Sequence, residues 1–549
     1  SRRQSAQASY WQKSVARLVA SLMTTLCCLS AVLHLLFMQR VAAAPNILFL
    51  IADQHRFDAI GQGAHTPNLD ALAVRGAQFM THYTSTPSCT PARAAILTGR
   101  SPWRHGMLGY ADSLAEKYPV EMPSLMATAG LRTAVVGKDH FGWNKTSDRP
   151  VAHGFQDLDI YDGLGSGFPG GGEYDDYDRW FQQYKPGQNP LKSGNLGWND
   201  WAGAVYEYDE WFHPTAWTGR RAVSLVHEFA GKGHPFFLKV SFHRPHSPYD
   251  PPARFLNSTP SPKNPPAVSN GGWDERFRHC PTSKLHDACC GQVDAADLDF
   301  TRRAYLASIA FVDEQIGLIL AALKESRIEN NTFVLYTSDH GDMRNDHFLW
   351  RKSFPYEGAS HVPLMFSWPE SLNTVFGDKR NIKVKAVTEL RDLLPTFLEV
   401  LGLWNSARED EVDGRPLSWL LRGEASRWRS WIDMEHNVYC WNDNHWNALT
   451  DGESKFIFHA ASGTENFFNI SADPGETRDL ADVKEYEAVV TQWRERMVHQ
   501  FITEGRGPVW VKDGKLMRRK PCNFSPNWPG EGLRPCYNVL EEEAKAIVV

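Results

Sequence analysis

Three things are scarce in this sequence. Net charge is one: 58 Lys and Arg against 64 Asp and Glu leave a formal −6 over 549 residues. No broad basic field exists to gather nucleic acid or an anionic membrane, so an anionic ligand must be attracted locally. Cysteine is another, with nine in the whole chain, too few for a scaffold built on disulfides. Repetition is the third, since no segment recurs at a fixed period, which excludes a solenoid or propeller. What is present is 42% hydrophobic residues in a chain too long for one ordinary domain, enough to bury a large core.

Residues 1–45 read as a targeting segment outside the fold. Arg2, Arg3, Lys13 and Arg17 precede an uncharged run from Leu18 to Met38, and Val41-Ala42-Ala43-Ala44 follows as a small-residue cleavage site. A cleaved signal peptide is favoured. The run also has about the 20 residues that span a bilayer, so an uncleaved signal anchor through 18–38 is the other reading. Either way the body enters the secretory pathway, to be secreted, delivered to a lysosome-like compartment, or held on the lumenal side of a membrane. Sequons at Asn144, Asn257, Asn330, Asn469 and Asn523 are consistent with glycosylation there. Beyond residue 45, Cys280, Cys289, Cys290, Cys440, Cys522 and Cys536 allow up to three disulfides, with Cys522 and Cys536 expected to close a C-terminal loop. Cys89 is then the odd one out.

The chain is organised around Cys89-Thr-Pro91-Ala-Arg93-Ala-Ala-Ile-Leu97-Thr-Gly99-Arg100. Pro91 suits the first turn of a helix, which puts Cys89 at the helix N-terminus, where free N–H groups favour an anion. Arg93 is one turn on and can reach the same place. A lone cysteine is more often a buried structural residue. The context argues otherwise.

Four apolar runs of strand length end in ionisable residues. Residues 46–52 run into Asp53-Gln54, 133–136 into Gly137-Lys138-Asp139-His140, 235–242 into His243 and His246, and 332–337 into Asp339-His340. Continuous apolar runs mark strands buried on both faces, and open α/β sheets place their sites at such carboxyl ends. Two carboxylates, an amide oxygen and an imidazole suit a divalent cation, calcium first among them. Long irregular stretches at 161–217 and 250–300 interrupt the pattern as insertions, and a long amphipathic helix is expected from about Arg303 to Ser326. Residues 387–401 are expected to be helical. From about 425, short strands and a helix near 484–501 suggest a smaller α+β subdomain.

The run from Cys89 to Arg100 resembles the signature of the formylglycine-dependent sulfatases, a branch of the alkaline phosphatase superfamily. Phe49–Gln54, Thr66-Pro67-Asn68-Leu69-Asp70, Gly137–His140, Pro245-His246-Ser247-Pro248, Ser338–Asp342 and the segment from Lys352 to Leu364 are similar to its motifs, in the same order. The resemblance implies a large, mostly parallel sheet flanked by helices in a catalytic domain at 46–400, with the smaller subdomain at 401–549. It implies that a formylglycine-generating enzyme oxidises Cys89, and that the hydrated aldehyde attacks the sulfur of a sulfate monoester. Asp53, Gln54, Asp339 and His340 would hold the metal together with the modified Cys89. Asp339 is a possible acceptor of the nucleophile's proton. Arg93 would fix the formylglycine, Lys138 and Lys352 would bind sulfate oxygens, and His246 with Lys352 would protonate the departing alcohol. His140 would deprotonate the second hydroxyl, so that sulfate leaves and the aldehyde re-forms.

Two positions depart from the family pattern: Gln54 replaces a common aspartate, and His361 a common arginine. The first removes a negative charge and the second a positive one, which puts phosphonate or phosphodiester hydrolysis within reach as an alternative. His243 and His361 are candidate substrate contacts, while His82 and His105 read as structural. Trp180, Trp198, Trp201, Trp211 and Trp217 in the first insertion, with Trp441 and Trp446, lean toward a sulfated sugar, though tryptophans as often pack a core of their own. A glycan-binding protein without turnover is the remaining alternative.

Overall fold

The computed structural model describes Met23 and residues 44–530, apart from 62, 145–148, 164–174, 191–195, 281–287, 438 and 442–443. The expected targeting segment (Met23 and residues 44–45 aside), parts of both insertions and Cys536 lie outside the described residues.

The apolar run after residue 45 forms β1 (Asn46–Asp53), buried throughout. Its side chains alternate between two cores, Ile47, Phe49 and Ile51 entering one and Leu48, Leu50 and Ala52 the other. That is the reason the run is continuously apolar: neither face meets water. Seven strands join it, namely β2 (Gly76–Phe79), β3 (Arg132–Gly137), β4 (Asp157–Ile160), β5 (Phe236–Pro245), β6 (Thr332–Ser338), β7 (Leu364–Ser367) and β8 (Ile382–Val384). The spatial order is β8-β2-β7-β6-β1-β5-β3-β4. Only β7 is antiparallel to its neighbours; β1 pairs in parallel with both β5 and β6, and β3 with β4 and β5. The parallel centre therefore brings the carboxyl ends of β1, β3, β5 and β6 side by side.

Helices pack on this sheet and on the C-terminal one, among them α1 (Pro67–Val74), α2 (Cys89–Thr98), α3 (Asp176–Tyr184), α4 (Pro214–Lys232), α5 (Ala295–Glu325), α6 (Leu393–Val400) and α7 (Glu487–Thr503). Helices α2 and α6 supply Ala92, Ile96, Leu97, Leu394 and Phe397 to one core, and α4 and α5 supply Trp217, Val226, Phe229, Ile316 and Leu323 to the other. The large sheet is thus covered on both faces, an α/β layer arrangement. Helix α5 starts earlier than the expected Arg303 and is a core helix: 72% of its most apolar stretch is buried inside the fold. The expected helix at 387–401 is split. Thr388–Glu389 pairs with His82–Tyr83, and a reciprocal cap between Glu389 and Asp392 opens the turn that leads into α6.

The C-terminal part is an antiparallel sheet, β9 (Ile432–His436), β10 (Trp446–Thr450), β11 (Ser454–His459) and β12 (Glu465–Asn469) in that order. One face, through Phe456, Phe458 and Phe467, packs on α7. The other, through Met434, Trp446, Ile457 and Phe468, packs on Tyr83, Phe354 and Tyr356 of the large domain. Disulfides join Cys289 to Cys440 and Cys280 to Cys290, and Cys522 is also disulfide-bonded. Among the described residues Cys89 is the free cysteine. Asn257 and Asn330 are exposed, whereas Asn523 turns its amide inward and donates from Nδ2 to the Tyr110 carbonyl at 3.4 Å.

Candidate active site

Cys89 is the first residue of α2, where the backbone N–H groups have no helical acceptor. It is 2% exposed. Its Sγ lies 2.9 Å from Lys352 Nζ, 3.6 Å from Lys138 Nζ, 3.3 Å from His340 Nε2 and 3.7 Å from Asp53 Oδ2. These partners come from a loop after β6, from the ends of β3 and β6, and from the end of β1. Gly137 lets β3 deliver Lys138: it sits at φ 90°, and a Cβ there would meet the Ser241 carbonyl oxygen at 2.1 Å. Gly99, at φ 66°, closes α2 at its other end.

Arg93 ties the strand ends together from one turn along the helix. Its Nε donates to Asp339 Oδ2 at 3.0 Å and Nη2 to Asp53 Oδ2 at 3.3 Å, while Nη1 reaches the Lys138 carbonyl at 2.8 Å and Ser241 Oγ at 3.1 Å. All its donors are spent, so it orients carboxylates and strand ends. Lys138 Nζ makes a 2.6 Å ion pair with Asp53. Burial raises Asp53, and Cys89 raises it further, but Lys138, His246 and His340 outweigh both and hold it well below the carboxylate range. Burial likewise raises Cys89; Lys138, Lys352 and His340 overcome it and bring the group well below the usual thiol value. The position favours an anion on whatever atom stands where Sγ is.

Asp53, Cys89, Asp339 and His340 place one ligand atom each within 4.8 Å of one another. Gln54 follows Asp53 at the same strand end and is buried. Its Nε2 donates to Asp342 Oδ2 at 2.7 Å, which aims Oε1 elsewhere and leaves it buried without a partner. His340 Nδ1 faces the Gly341 carbonyl at 3.0 Å, freeing Nε2 toward the cluster, the outer contact a metal-binding imidazole needs. Three oxygen donors, one imidazole and an orphaned amide oxygen among them fit a hard divalent cation.

The histidines divide. His246 Nε2 is 2.9 Å from Lys352 Nζ, and its Nδ1 faces the Ser247 carbonyl at 2.8 Å. Burial, then Lys352, push it down to about 3, so the shared proton resides on the lysine. His140, at φ 56° with its backbone N–H donating to Asp162 Oδ1 at 2.9 Å, has both ring nitrogens buried without partners. His243 is held through Nδ1 by Arg244 at 2.6 Å, with Nε2 unpartnered. The structure does not bring His361 to this cluster. Its Nδ1 bonds Glu357 at 2.7 Å, its Nε2 faces the Met80 carbonyl at 3.0 Å, and its ring stacks between Phe57 and Tyr83. His361 is therefore a packed latch.

Of the tryptophans singled out in the sequence, Trp198 alone reaches the cluster. Half-buried, it lies 5.5 Å from Lys138 Nζ and 4.3 Å and 5.3 Å from the rings of His243 and His246. The others pack: Trp180 on Trp211, Trp201 on Trp350, Trp217 in the core of α4, Trp441 on Phe277 and Phe354, and Trp446 beneath the C-terminal sheet. Tyr110, 6.2 Å from His140 and 6.5 Å from Tyr439, forms another wall. His436, at the end of β9, is buried with both nitrogens unpartnered; burial, then His340 and Lys352, lower it to about 3. Sequence reasoning missed Tyr110, Tyr439 and His436. None carries a motif, and His436 arrives on a strand that was itself not expected.

Comparison with known proteins places this geometry in a class. The chain belongs to the sulfatase family, whose profile matches residues 45–403; the profile described as N-sulphoglucosamine sulphohydrolase, C-terminal, matches 345–502. It is 32% identical over 491 residues to an arylsulfatase of Clostridium perfringens, covering 87% of this chain and 98% of that one. It is 29% identical to a choline-sulfatase of Rhizobium meliloti, covering 80% and 82%. Its fold is similar to that of a phosphonate monoester hydrolase of Agrobacterium radiobacter, with a TM-score of 0.66 at 22% identity, covering 87% of this chain and 100% of that one. The protein is a sulfatase, and the family implies a divalent metal.

Proposed function

We propose that the chain hydrolyses a sulfate monoester carried on a carbohydrate, with Cys89 converted to formylglycine beside a bound Ca2+. One observation carries the reading. The free cysteine among the described residues stands within 3.6 Å of two lysines and inside a set of metal-ligand atoms no more than 4.8 Å apart. A structural cysteine has no use for such neighbours. A thiolate would be a poor catalyst here, because sulfur transferred to sulfur has no internal route of release. The hydrated aldehyde supplies an oxygen nucleophile where Sγ now stands and a second hydroxyl that can expel sulfate. Conversion requires a formylglycine-generating enzyme along the secretory route, which the disulfides suit.

Asp53, Gln54, Asp339 and His340 would hold the divalent cation, which when bound would supply Lewis-acid polarisation of the ester oxygens and favour the ionised nucleophile. Lys138 and Lys352 flank the reacting atom and hold sulfate oxygens, tightening as charge develops. Arg93 fixes Asp53 and Asp339, keeping the nucleophile's surroundings in register. Lys352 stores the proton that the departing alkoxide requires, and His246, in contact with it at 2.9 Å, passes it on. His140, whose nitrogens are open, takes the proton of the second hydroxyl as sulfate leaves. Trp198 offers one aromatic face to the sugar ring, a narrower platform than the tryptophan count suggested. The test is turnover of an aryl sulfate against an aryl phosphonate by metal-loaded protein, followed by a panel of defined sulfated sugars. Faster sulfate cleavage is expected; faster phosphonate cleavage overturns the assignment.

A further inference from the structure

Beside the group that protonates the departing alcohol, His243 carries an N–H with nothing to donate to. The residue is 2% exposed, and its Nε2 is buried without a hydrogen-bond partner among the described residues. The other ring nitrogen settles where the proton sits. Nδ1 lies 2.6 Å from Arg244 Nη1. A guanidinium only donates, so Nδ1 accepts with its lone pair, and the neutral ring carries its hydrogen on Nε2. A doubly protonated ring would set one N–H against another. Burial, then Lys138, His246 and Arg244, hold the group well below the ordinary histidine value, in keeping with a neutral ring.

Arg244 is itself fixed. It is 1% exposed, and its Nε and Nη2 grip the two oxygens of the fully buried Asp250 at 2.6 Å and 3.1 Å. That planar fork on a carboxylate holds the guanidinium in one orientation and leaves Nη1 for His243. A buried ion pair that merely packed the loop would account for Arg244 and Asp250. It would not account for a ring held in the one tautomer that leaves a buried donor unsatisfied, an arrangement that costs stability.

The ring of His243 lies 4.8 Å from that of His246, 4.3 Å from Trp198 and 5.4 Å from Tyr161. His246 serves the leaving group and Trp198 faces the sugar, so His243 stands on the same side of the sulfur as both. Sulfate oxygens fall to Lys138 and Lys352. What is left for a neutral donor one ring away from His246 is an oxygen on the next carbon. We propose that His243 is a specificity-determining residue whose Nε2–H donates to a substrate oxygen on the carbon adjacent to the sulfated one. Resting on the sulfate-ester assignment above, this contact narrows the substrate to esters with a vicinal oxygen, such as ring sugars sulfated beside a free hydroxyl.

The test gives metal-loaded, formylglycine-bearing protein cyclohexyl sulfate and the cis and trans isomers of 2-hydroxycyclohexyl sulfate, with an aryl sulfate alongside. Wild type should cleave at least one hydroxylated isomer with a kcat/KM about tenfold or more above that for cyclohexyl sulfate, because the ester lacking the oxygen leaves a buried donor unpaired. In His243→Phe, which keeps a ring and loses the donor, that ratio should fall toward one. A ratio near one in wild type overturns the proposal, and so does a preference that survives undiminished in His243→Phe. A variant merely disturbed in its packing would slow all the esters alike and keep the ratio. Should His243→Phe fail to fold, the wild-type ratio alone decides. Aryl sulfate turnover without the hydroxyl preference leaves the sulfatase assignment standing and removes the contact; no aryl sulfate turnover removes both.

Discussion

Lys455→Met should cost stability in a way that depends on pH. Lys455 is fully buried on β11 and bridges Glu357 at 2.7 Å and Glu476 at 2.9 Å, joining the C-terminal sheet to the large domain. Burial raises Glu357, yet Lys455 and His361 overcome that and hold it at about 2. Removing the lysine leaves two neighbouring buried carboxylates without the cation they share, while Glu476 Oε2 still accepts from the Glu357 N–H at 2.6 Å. One of them must then take up a proton on folding. At pH 7.5, three units above the ordinary glutamate value, that uptake costs about 4 kcal/mol at 1.36 kcal/mol per unit. The figure agrees with the roughly 3–5 kcal/mol for breaking a buried pair from one side. At pH 5.5 the same uptake costs about 1.4 kcal/mol. In the variant the folded state binds the extra proton, so its stability relative to wild type rises as pH falls. Equilibrium urea unfolding at the two pH values measures both losses. A loss below about 1 kcal/mol at pH 7.5, or equal losses at both, would refute the pairing argument.

Other consequences rest on single side chains. Trp198→Ala removes the aromatic face beside Lys138 and His246, and should raise KM for ring-bearing sulfates about fivefold, the equivalent of about 1 kcal/mol of ring contact, while leaving a small alkyl sulfate unaffected. Gln54→Leu deletes the orphaned Oε1 and should weaken divalent-cation affinity by about tenfold or more, read by titration calorimetry on chelator-treated protein. His82 and His105 are each pushed by burial to about 3, so the unfolded chain binds their protons first as pH drops below the ordinary histidine value. Each should cost about 2 kcal/mol between pH 6.5 and 5. His82→Asn with His105→Asn should flatten that part of the acid-stability curve.

The catalytic architecture was legible because burial and chemistry leave separate marks in a sequence. A strand covered on both faces must be apolar throughout, so β1, β5 and β6 announce themselves, and the polar residues that end them become conspicuous. The short strand β2 and the direction of β7, itself readable as a strand from residues 362–366, were harder. β2, only four residues long with a Gly at its start, offers no run to read, and β7 reverses direction, which no local pattern encodes. Strands β9 and β10 escaped because their sequences, Ile432–His436 and Trp446–Thr450, mix polar residues paired across the sheet, such as Asn447 with Glu435. His361 shows a different limit. A replacement beside a motif suggests altered substrate contact, but stacking between Phe57 and Tyr83 is long-range packing that spacing cannot report. The same holds for the tryptophans, where only three-dimensional proximity separates Trp198 from those that fill cores.

The central claim is that an oxidised side chain at position 89 performs the reaction. The most direct measurement prepares metal-loaded protein with graded conversion of Cys89, quantified by peptide mass, and follows aryl sulfate turnover in each preparation. The account predicts that rate rises in proportion to the aldehyde fraction and extrapolates to none for the unmodified thiol. Full turnover by protein that retains the thiol would contradict it.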